Sequence, residues 1–586
     1  MRNVICLALL APVLALAAGS THPGTVVAPG VSLQTVNVLA GDGKAGPGGT
    51  QFCLGPNRTA RFAIGTVDTV GGTTYDYQTN GPAYRMLVQT PGQGVHALFM
   101  YSQDTDTLFQ NRNMRYNYYD YGTRVWLWPD PNFMLAGVNV FSVRTGYGSI
   151  DVDTNGVAVV SAHHTTTGSN LAPILARDAD VGAGIFDYAN GEPTLDQYVW
   201  PYVGVGTNGY YHLAMLENAT QDNLYWGRMT SWPTWDAAVS IPSPQPEPLF
   251  PDHNIATSKV PGSNKVCITW VGTASTYQQD PGYYRESQDG GDNWDSPVYL
   301  EFPPAFHPGS ETVPSFHISS LFPFYDRNDN LHIVGNVAPY VRDTNWVLPG
   351  EIWHWCPANE SSPWTLVHIA SPDSWNASCG NNTMVCARPS LGMDNSGTLF
   401  AAWEEFDGVN IEPATARLRA DIWYSASQDN GVTWDEATKI TDGGEVSYRF
   451  PSILNPILDT VMVEYLIDQQ AGFFVQGAEG APTENPVVVQ KWYNQYYKEP
   501  GVEGPTAARP GRMEVAASPN PARGRTGISY ALPRAGDVSL VVYDAAGRPV
   551  QVLASGPRQA GRYTACLLYT SPSPRDRTRS RMPSSA

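Results

Sequence analysis

A hairpin-like unit repeats along the chain, and it constrains the fold more than any other feature. Each copy has an apolar run, a polar turn with Gly or Asn, and a second apolar run that often ends in an aromatic. RMLVQTPGQGVHALFMYS (85–102) and ARPSLGMDNSGTLFAAWEEF (387–406) are two examples. Copies begin at Arg85, Gly146, Tyr202, Phe250, Pro314, Ala387 and Tyr448, spaced about 50 to 75 residues apart, as four-stranded propeller blades with loop insertions are. The turns Asp153-Thr154-Asn155-Gly156 and Asp394-Asn395-Ser396-Gly397 supply residues that tolerate positive φ. The flanking runs are almost continuously apolar, as expected of strands covered on both faces by neighbouring blades. With 55 Gly, 48 Pro, 11% aromatic and only 15% charged residues, the composition favours short strands and tight turns over long amphipathic helices. The expected fold is all-β, a seven-bladed propeller with six blades as the runner-up, followed by a small immunoglobulin-like β-sandwich.

Two units are followed by a sharper motif, SQDGGDNW (Ser287, Asp289, Gly291, Trp294) and SQDNGVTW (Ser427, Asp429, Gly431, Trp434); YDYGTRVW (119–126) is a degenerate third copy. These match the Asp-box, S-x-D-x-G-x-x-W, and residues 56–498 resemble the sialidase superfamily of propellers, also called BNR-repeat proteins. In such a turn the Asp accepts backbone N–H bonds, the Gly permits the left-handed bend and the Trp packs between strands. The motif is read as structural. TTYDYQTNG (73–81), ahead of the first hairpin, is expected to supply the outer strand that closes the last blade, removing exposed sheet edges.

The first eighteen residues read as a secretory signal: Arg2, an apolar run from Val4 to Leu16, and small residues at Ala15 and Ala17. No later stretch has about 18 uninterrupted apolar residues, so no transmembrane segment is expected. Residues 19–55 form an N-terminal extension. At the other end, a Pro/Gly/Ala linker (499–513) leads into residues 514–565, where SPNP, ISYALP and VSLVVYDAAGRPV resemble the C-terminal sorting domain of type IX secretion cargo, cut short. That resemblance implies a secreted or cell-surface destination and the type IX machinery as a partner. Residues 566–586, beginning CLLYTSPSPRD, resemble translated sequencing adapter.

The formal charge of −19 becomes about −23 without Arg2 and the last 21 residues, which hold four Arg and one Asp. Such acidity repels phosphate backbones, so nucleic acid is not an expected partner. Of seven cysteines, Cys6 and Cys566 fall in those terminal segments. Cys379 and Cys386 bracket a short loop and are a candidate disulfide. No Cys-x-x-Cys or His-Glu-x-x-His occurs, so no metal or cofactor is expected. Asp326-Arg327-Asn328-Asp329-Asn330 has the opening of a calcium loop but lacks its distal Glu and aligns with the hairpin turns, so it is read as a turn.

Chemistry is expected at the axial end where inner strands begin, because loops of all blades converge there. The sialidase resemblance implies three arginines clamping a carboxylate, an acid/base Asp and a Tyr activated by a Glu. Arg85, Arg144, Arg388 and Arg449 precede or open inner strands of four units and are the candidate clamp. The family's F/Y-R-I-P signature stands here as Tyr84-Arg85-Met86-Leu87, without its proline, and Tyr448-Arg449-Phe450-Pro451 is a closer match in the last unit. Asp104, Asp106, Glu404, Glu405 and Glu464 are acid candidates by position alone, and His163, His164, His212, His253, His317 and His332 lie in or near inner strands. Two functions follow: a propeller that binds glycans or a surface protein without catalysis, or an exo-glycosidase or lyase acting on acidic glycans. Convergence of three arginines beside a Tyr–Glu pair separates them.

Overall fold

The computed structural model describes residues 51–497, apart from short internal segments, and the strands of a C-terminal unit between residues 514 and 568. Residues 1–50, which include the expected signal and most of the expected N-terminal extension, the expected linker, residues 544–548 and residues 569–586 lie outside the described residues.

The repeats fold into seven antiparallel sheets of four or five strands, each a propeller blade. Blades 1 to 6 cover residues 87–139, 145–190, 198–241, 249–300, 315–370 and 386–439; blade 7 combines 447–493 with Thr66–Thr73. The N-terminal strand pairs antiparallel with Asn485–Tyr493, Thr66 opposite Lys491, so the ring closes through its two ends. The closing strand therefore precedes TTYDYQTNG, which enters it only at Thr73.

Repeated side chains fasten the blades. Val203 N donates to Ser149 Oγ (2.9 Å), Ile453 N to Ser390 Oγ (3.1 Å) and Met86 N to Ser452 Oγ (3.0 Å). Each serine thus accepts from the inner strand of the following blade, and the third bond joins blade 7 to blade 1. The Asp-boxes form the expected turns. Gly291 N donates to Ser287 Oγ (2.7 Å) and Asn293 N to Asp289 Oδ1 (2.8 Å); Gly431 N donates to Ser427 Oγ (2.8 Å) and Thr433 N to Asp429 Oδ1 (2.8 Å). Each box packs on the preceding blade: Trp294 lies edge-on to Trp226 at 5.3 Å, and Trp434 lies 5.4 Å from His354. In the degenerate copy Asp120 Oδ1 accepts from Thr123 N (2.7 Å), and Trp126 Nε1 donates to Asp68 Oδ2 on the closing strand (3.1 Å).

Gly291 has φ +91°, and a Cβ there would sit 2.1 Å from the Trp226 ring. Gly291→Ala is therefore expected to destabilise the propeller by about 2–4 kcal/mol, from left-handed backbone strain plus overpacking. A melting temperature equal to that of the parent protein would refute this inter-blade role.

The described residues of the C-terminal unit include five strands. Glu514–Arg523, Arg525–Leu532 and Gly561–Leu568 form one antiparallel sheet, and Gly536–Tyr543 pairs with Pro549–Arg558. The last strand runs through Cys566 to Leu568, past the end of the sorting-domain resemblance.

Candidate functional site

Inner strands share a backbone irregularity at the end where chemistry is expected. Register shifts interrupt them between Val199 and Tyr202, Leu249 and His253, Ser319 and Phe322, Ala387 and Ser390, and Arg449 and Ser452. Within four of these bulges a non-glycine residue has positive φ: Trp200, Ser320, Arg388 and Phe450, at +50° to +60°. Tyr147 (φ +52°) occupies the matching place in blade 2. Each such residue costs about 1–3 kcal/mol and persists only where its surroundings over-determine it. Here the bulge takes the residue out of the strand alternation.

The axial end is closed by the chain itself. Residues 74–80 are buried throughout. Gln78 bonds to Met100 N and O in blade 1, and Tyr75 OH lies 2.6 Å from Tyr147 OH in blade 2. The Tyr84 ring lies 3.8 Å from that of Tyr202 in blade 3, and Asn254 Nδ2 of blade 4 donates to Ala83 O (2.9 Å). Arg388 Nε of blade 6 donates to Thr79 Oγ1 (3.2 Å), and Phe474 N of blade 7 donates to Asp76 Oδ2 (2.5 Å). A segment this short reaches so many blades only by crossing the channel, so residues 74–84 act as a plug.

The four arginines do not form a clamp around a common volume. Arg388 and Arg449, 1% and 2% exposed, converge beneath the plug on buried Glu404. Arg388 NH1 lies 2.6 Å from Oε1 and Arg449 Nε 3.1 Å from Oε2, and Phe450 N also donates to Oε2 (2.8 Å). Burial pushes the Glu404 carboxyl up, but Arg449 and Arg388 outweigh it and hold it below the usual range. Both guanidiniums lie over the Phe450 ring, at 4.8 and 5.0 Å. Arg85 pairs instead with Asp151 (3.6 Å), and Arg144 donates to the carbonyls of Phe109 (2.9 Å) and Leu108 (3.3 Å). All four arginines thus already have protein partners, carboxylates or carbonyls within the fold.

The acid candidates are similarly engaged. Asp104 accepts from Asn111 N (2.8 Å), Asp106 from Leu108 N (2.8 Å), and Glu405 lies 2.9 Å from His368. Glu464 borders a cavity of about 10 Å³, room for one water, and burial pushes its carboxyl well up. A Tyr–Glu contact exists, Tyr325 OH donating to Glu286 Oε1 (2.6 Å), but at the far end of the inner strands from Arg388. Burial raises that phenol, the opposite of activation. Burial lowers His212 to about 3 and His253 to about 4, keeping both neutral, and no metal-holding group occurs among the described residues. The His317 side chain lies outside the described residues. Cys379 and Cys386, expected as a disulfide, are both buried free thiols that burial pushes well up. Cys386 opens the inner strand of blade 6, where its position follows the sheet rather than the loop.

Two groupings were not legible in the sequence. Between blades 1 and 2, Arg112 NH1 donates to Tyr75 OH (3.1 Å), NH2 lies 3.4 Å from His163 Nε2, and its guanidinium sits 5.2 Å from the Tyr147 ring centre. All four residues are buried. At the opposite axial end, the hairpin turns of blades 4 to 7 surround a pocket of about 280 Å³. Pro261, Phe324, Met393, Pro456, Ile457 and Leu458 give it apolar walls. Its turns are fixed to one another: Arg327 NH1 donates to Asn395 O (2.7 Å), Met393 N to Asn455 Oδ1 (3.2 Å) and Ile457 N to Met393 O (2.8 Å). The Asp326 turn forms as read, with Asn328 N and Asn330 N each 2.8 Å from Oδ1.

No protein-family model and no curated relative matches the chain. Among solved structures it is similar to a PL25 ulvan lyase, a polysaccharide lyase, at 11% identity and a TM-score of 0.45, over 72% of this chain and 94% of that one. It is also similar to the polysaccharide lyase Uly1 (11% identity, TM-score 0.41, 80% and 100% covered). A third likeness is to the Penicillium chrysogenum alpha-L-arabinanase complexed with arabinobiose (13%, 0.36, 59% and 93%). The chain is a seven-bladed β-propeller resembling polysaccharide lyases and arabinan-degrading enzymes in fold.

Proposed function

We propose that this is an exported glycan-binding propeller that holds its ligand in the pocket at the hairpin-turn end of the axis, without sialidase-type hydrolysis. The carrying observation is that pocket, concave, apolar-walled and fixed by inter-blade hydrogen bonds, the usual character of a preformed small-ligand site. Dispersal of the arginines, and a Tyr–Glu contact remote from them, support the non-hydrolytic reading. Leu458→Trp fills the pocket and is expected to weaken oligosaccharide binding at least tenfold by isothermal titration, with thermal stability little changed. If no oligosaccharide in a broad panel binds the parent chain, or if the variant binds as well as the parent, the reading fails.

A second reading is favoured by the Arg112, His163, Tyr75 and Tyr147 grouping. A lyase acting on acidic glycans needs a cation for the uronate carboxylate, a base for the α-proton and an acid for the leaving oxygen, and these residue types can supply them. Ultraviolet absorbance of an unsaturated uronate product, lost in Tyr75→Phe, would favour this reading over simple binding. Export by type IX secretion and an immunoglobulin-like arrangement of the C-terminal strands belong to the same proposal, supported by the apolar signal and the SPNP-to-VSLVVYDAAGRPV segment.

A further inference from the structure

The geometry points to an acidic sugar, a hexuronate within an oligosaccharide, as the ligand of the pocket between the hairpin turns of blades 4 to 7, with Arg327 reading its carboxylate; this rests on the glycan-binding reading. Four charged side chains line the pocket, and three are already engaged. Lys259 Nζ donates to Asp151 Oδ2 (2.8 Å), Val205 O (2.6 Å) and Val152 O (3.4 Å). Asp326 holds the amides of its own turn and the side chain of Asn330 (2.9 Å). Asp394 Oδ1 accepts from Ser396 N (2.8 Å) and Thr398 N (2.9 Å), and its Oδ2 from Asn494 Nδ2 (3.0 Å). Arg327 differs. It is exposed, and only NH1 is hydrogen-bonded to the described residues, through Asn395 O.

That one bond positions the guanidinium. The Arg327 fork lies against Gly397, where a Cβ would come within 3.1 Å of NH2. Its remaining N–H groups are left for a ligand. A planar fork with unused donors matches a carboxylate bidentately, whereas a neutral hydroxyl uses only part of it. The adjoining walls, Phe324, Pro261, Pro456 and Leu458, suit the apolar C–H face of a pyranose ring. The two lining carboxylates are tied into turns, so an acidic ligand meets no free carboxylate there. The chain's net charge of −19 acts against an acidic ligand at long range, but physiological salt screens it beyond about 8 Å. The pocket thus joins an apolar slot to a single available forked cation.

The experiment titrates the full chain with oligogalacturonate and oligoglucuronate fragments and, in parallel, with neutral galactan and cello-oligosaccharides of matched length. The parent is expected to prefer the acidic fragments. Arg327→Gln is expected to weaken acidic binding about ten- to hundredfold and neutral binding far less. Arg327→Lys should restore only part of the loss, because an ammonium lacks the fork. Equal affinity for acidic and neutral fragments, or acidic binding unaffected by Arg327→Gln, overturns the uronate assignment while leaving glycan binding intact. Acidic binding that survives Leu458→Trp places the ligand elsewhere and also overturns it. Failure of both fragment classes to bind sinks the underlying glycan-binding reading instead.

Discussion

Replacing Glu404 with Gln is expected to destabilise the propeller by about 3–5 kcal/mol, the usual consequence of removing one partner from a buried ion pair. The substitution preserves shape but removes the carboxylate charge that the Arg388 and Arg449 guanidiniums, both almost fully buried, share. The Phe450 ring beneath both cations offsets only part of this. Arg388→Met added to Glu404→Gln should recover part of the stability, because it removes one of the unmatched charges. Thermal denaturation of the parent, single and double variants measures the coupling. A single-variant loss below about 1 kcal/mol, or a double variant no more stable than the single, would show that Glu404 does not hold blades 6 and 7 together through the two arginines.

Raising the pH from about 5 to about 9 is expected to lower the melting temperature, through a buried carboxyl of the plug and a second one that it repels. Asp76 and Asp468 are both buried. Burial is the main cause that raises each; Glu479 adds to Asp76, and Asp76 and Glu412 add to Asp468, against the opposing pull of Arg449. A carboxyl whose folded pKa lies above its unfolded value favours the fold fully below the ordinary carboxylate range. That contribution is lost as the pH climbs through the folded value. His332 is raised as well; burial lowers it but Asp326 and Cys356 together outweigh that, so it contributes in the same direction. The informative comparison is therefore Asp468→Asn, which should flatten part of the alkaline side of the profile while leaving the components of His332, Glu351 and Glu464, which are raised as well. A variant profile parallel to the parent's across the whole range would exclude the carboxyl pair as its source.

Much of the fold was legible because blades are local. Each repeat carries its own turn chemistry and paired apolar runs, and seven repeats became seven sheets. The Asp-boxes were legible for the same reason: Ser287, Asp289 and Asn293 bond within one turn. The plug was not. TTYDYQTNG alternates aromatic and polar residues like a strand, and nothing local reveals that its partners lie in blades as distant as 6 and 7. The arginines were found at the correct ends of their strands, but the carboxylate that Arg388 and Arg449 share comes from the middle of another strand, Leu399–Glu412. Arg327 was seen only as part of a turn, since the pocket beside it exists only once four separate hairpins meet.

The joint between the two ends of the ring has a consequence for the order in which the molecule forms. Thr66 and Lys491 are paired although more than four hundred residues separate them, so six blades can form as the chain emerges while the seventh waits for its last strands. Loop-closure entropy makes so distant a pairing a late event. Until blade 7 forms, residues 74–84 lack their partners Phe474 and Val475 in it. Seating of this segment and closure of the ring are therefore one event, which makes the final step of folding also the step that seals the axis.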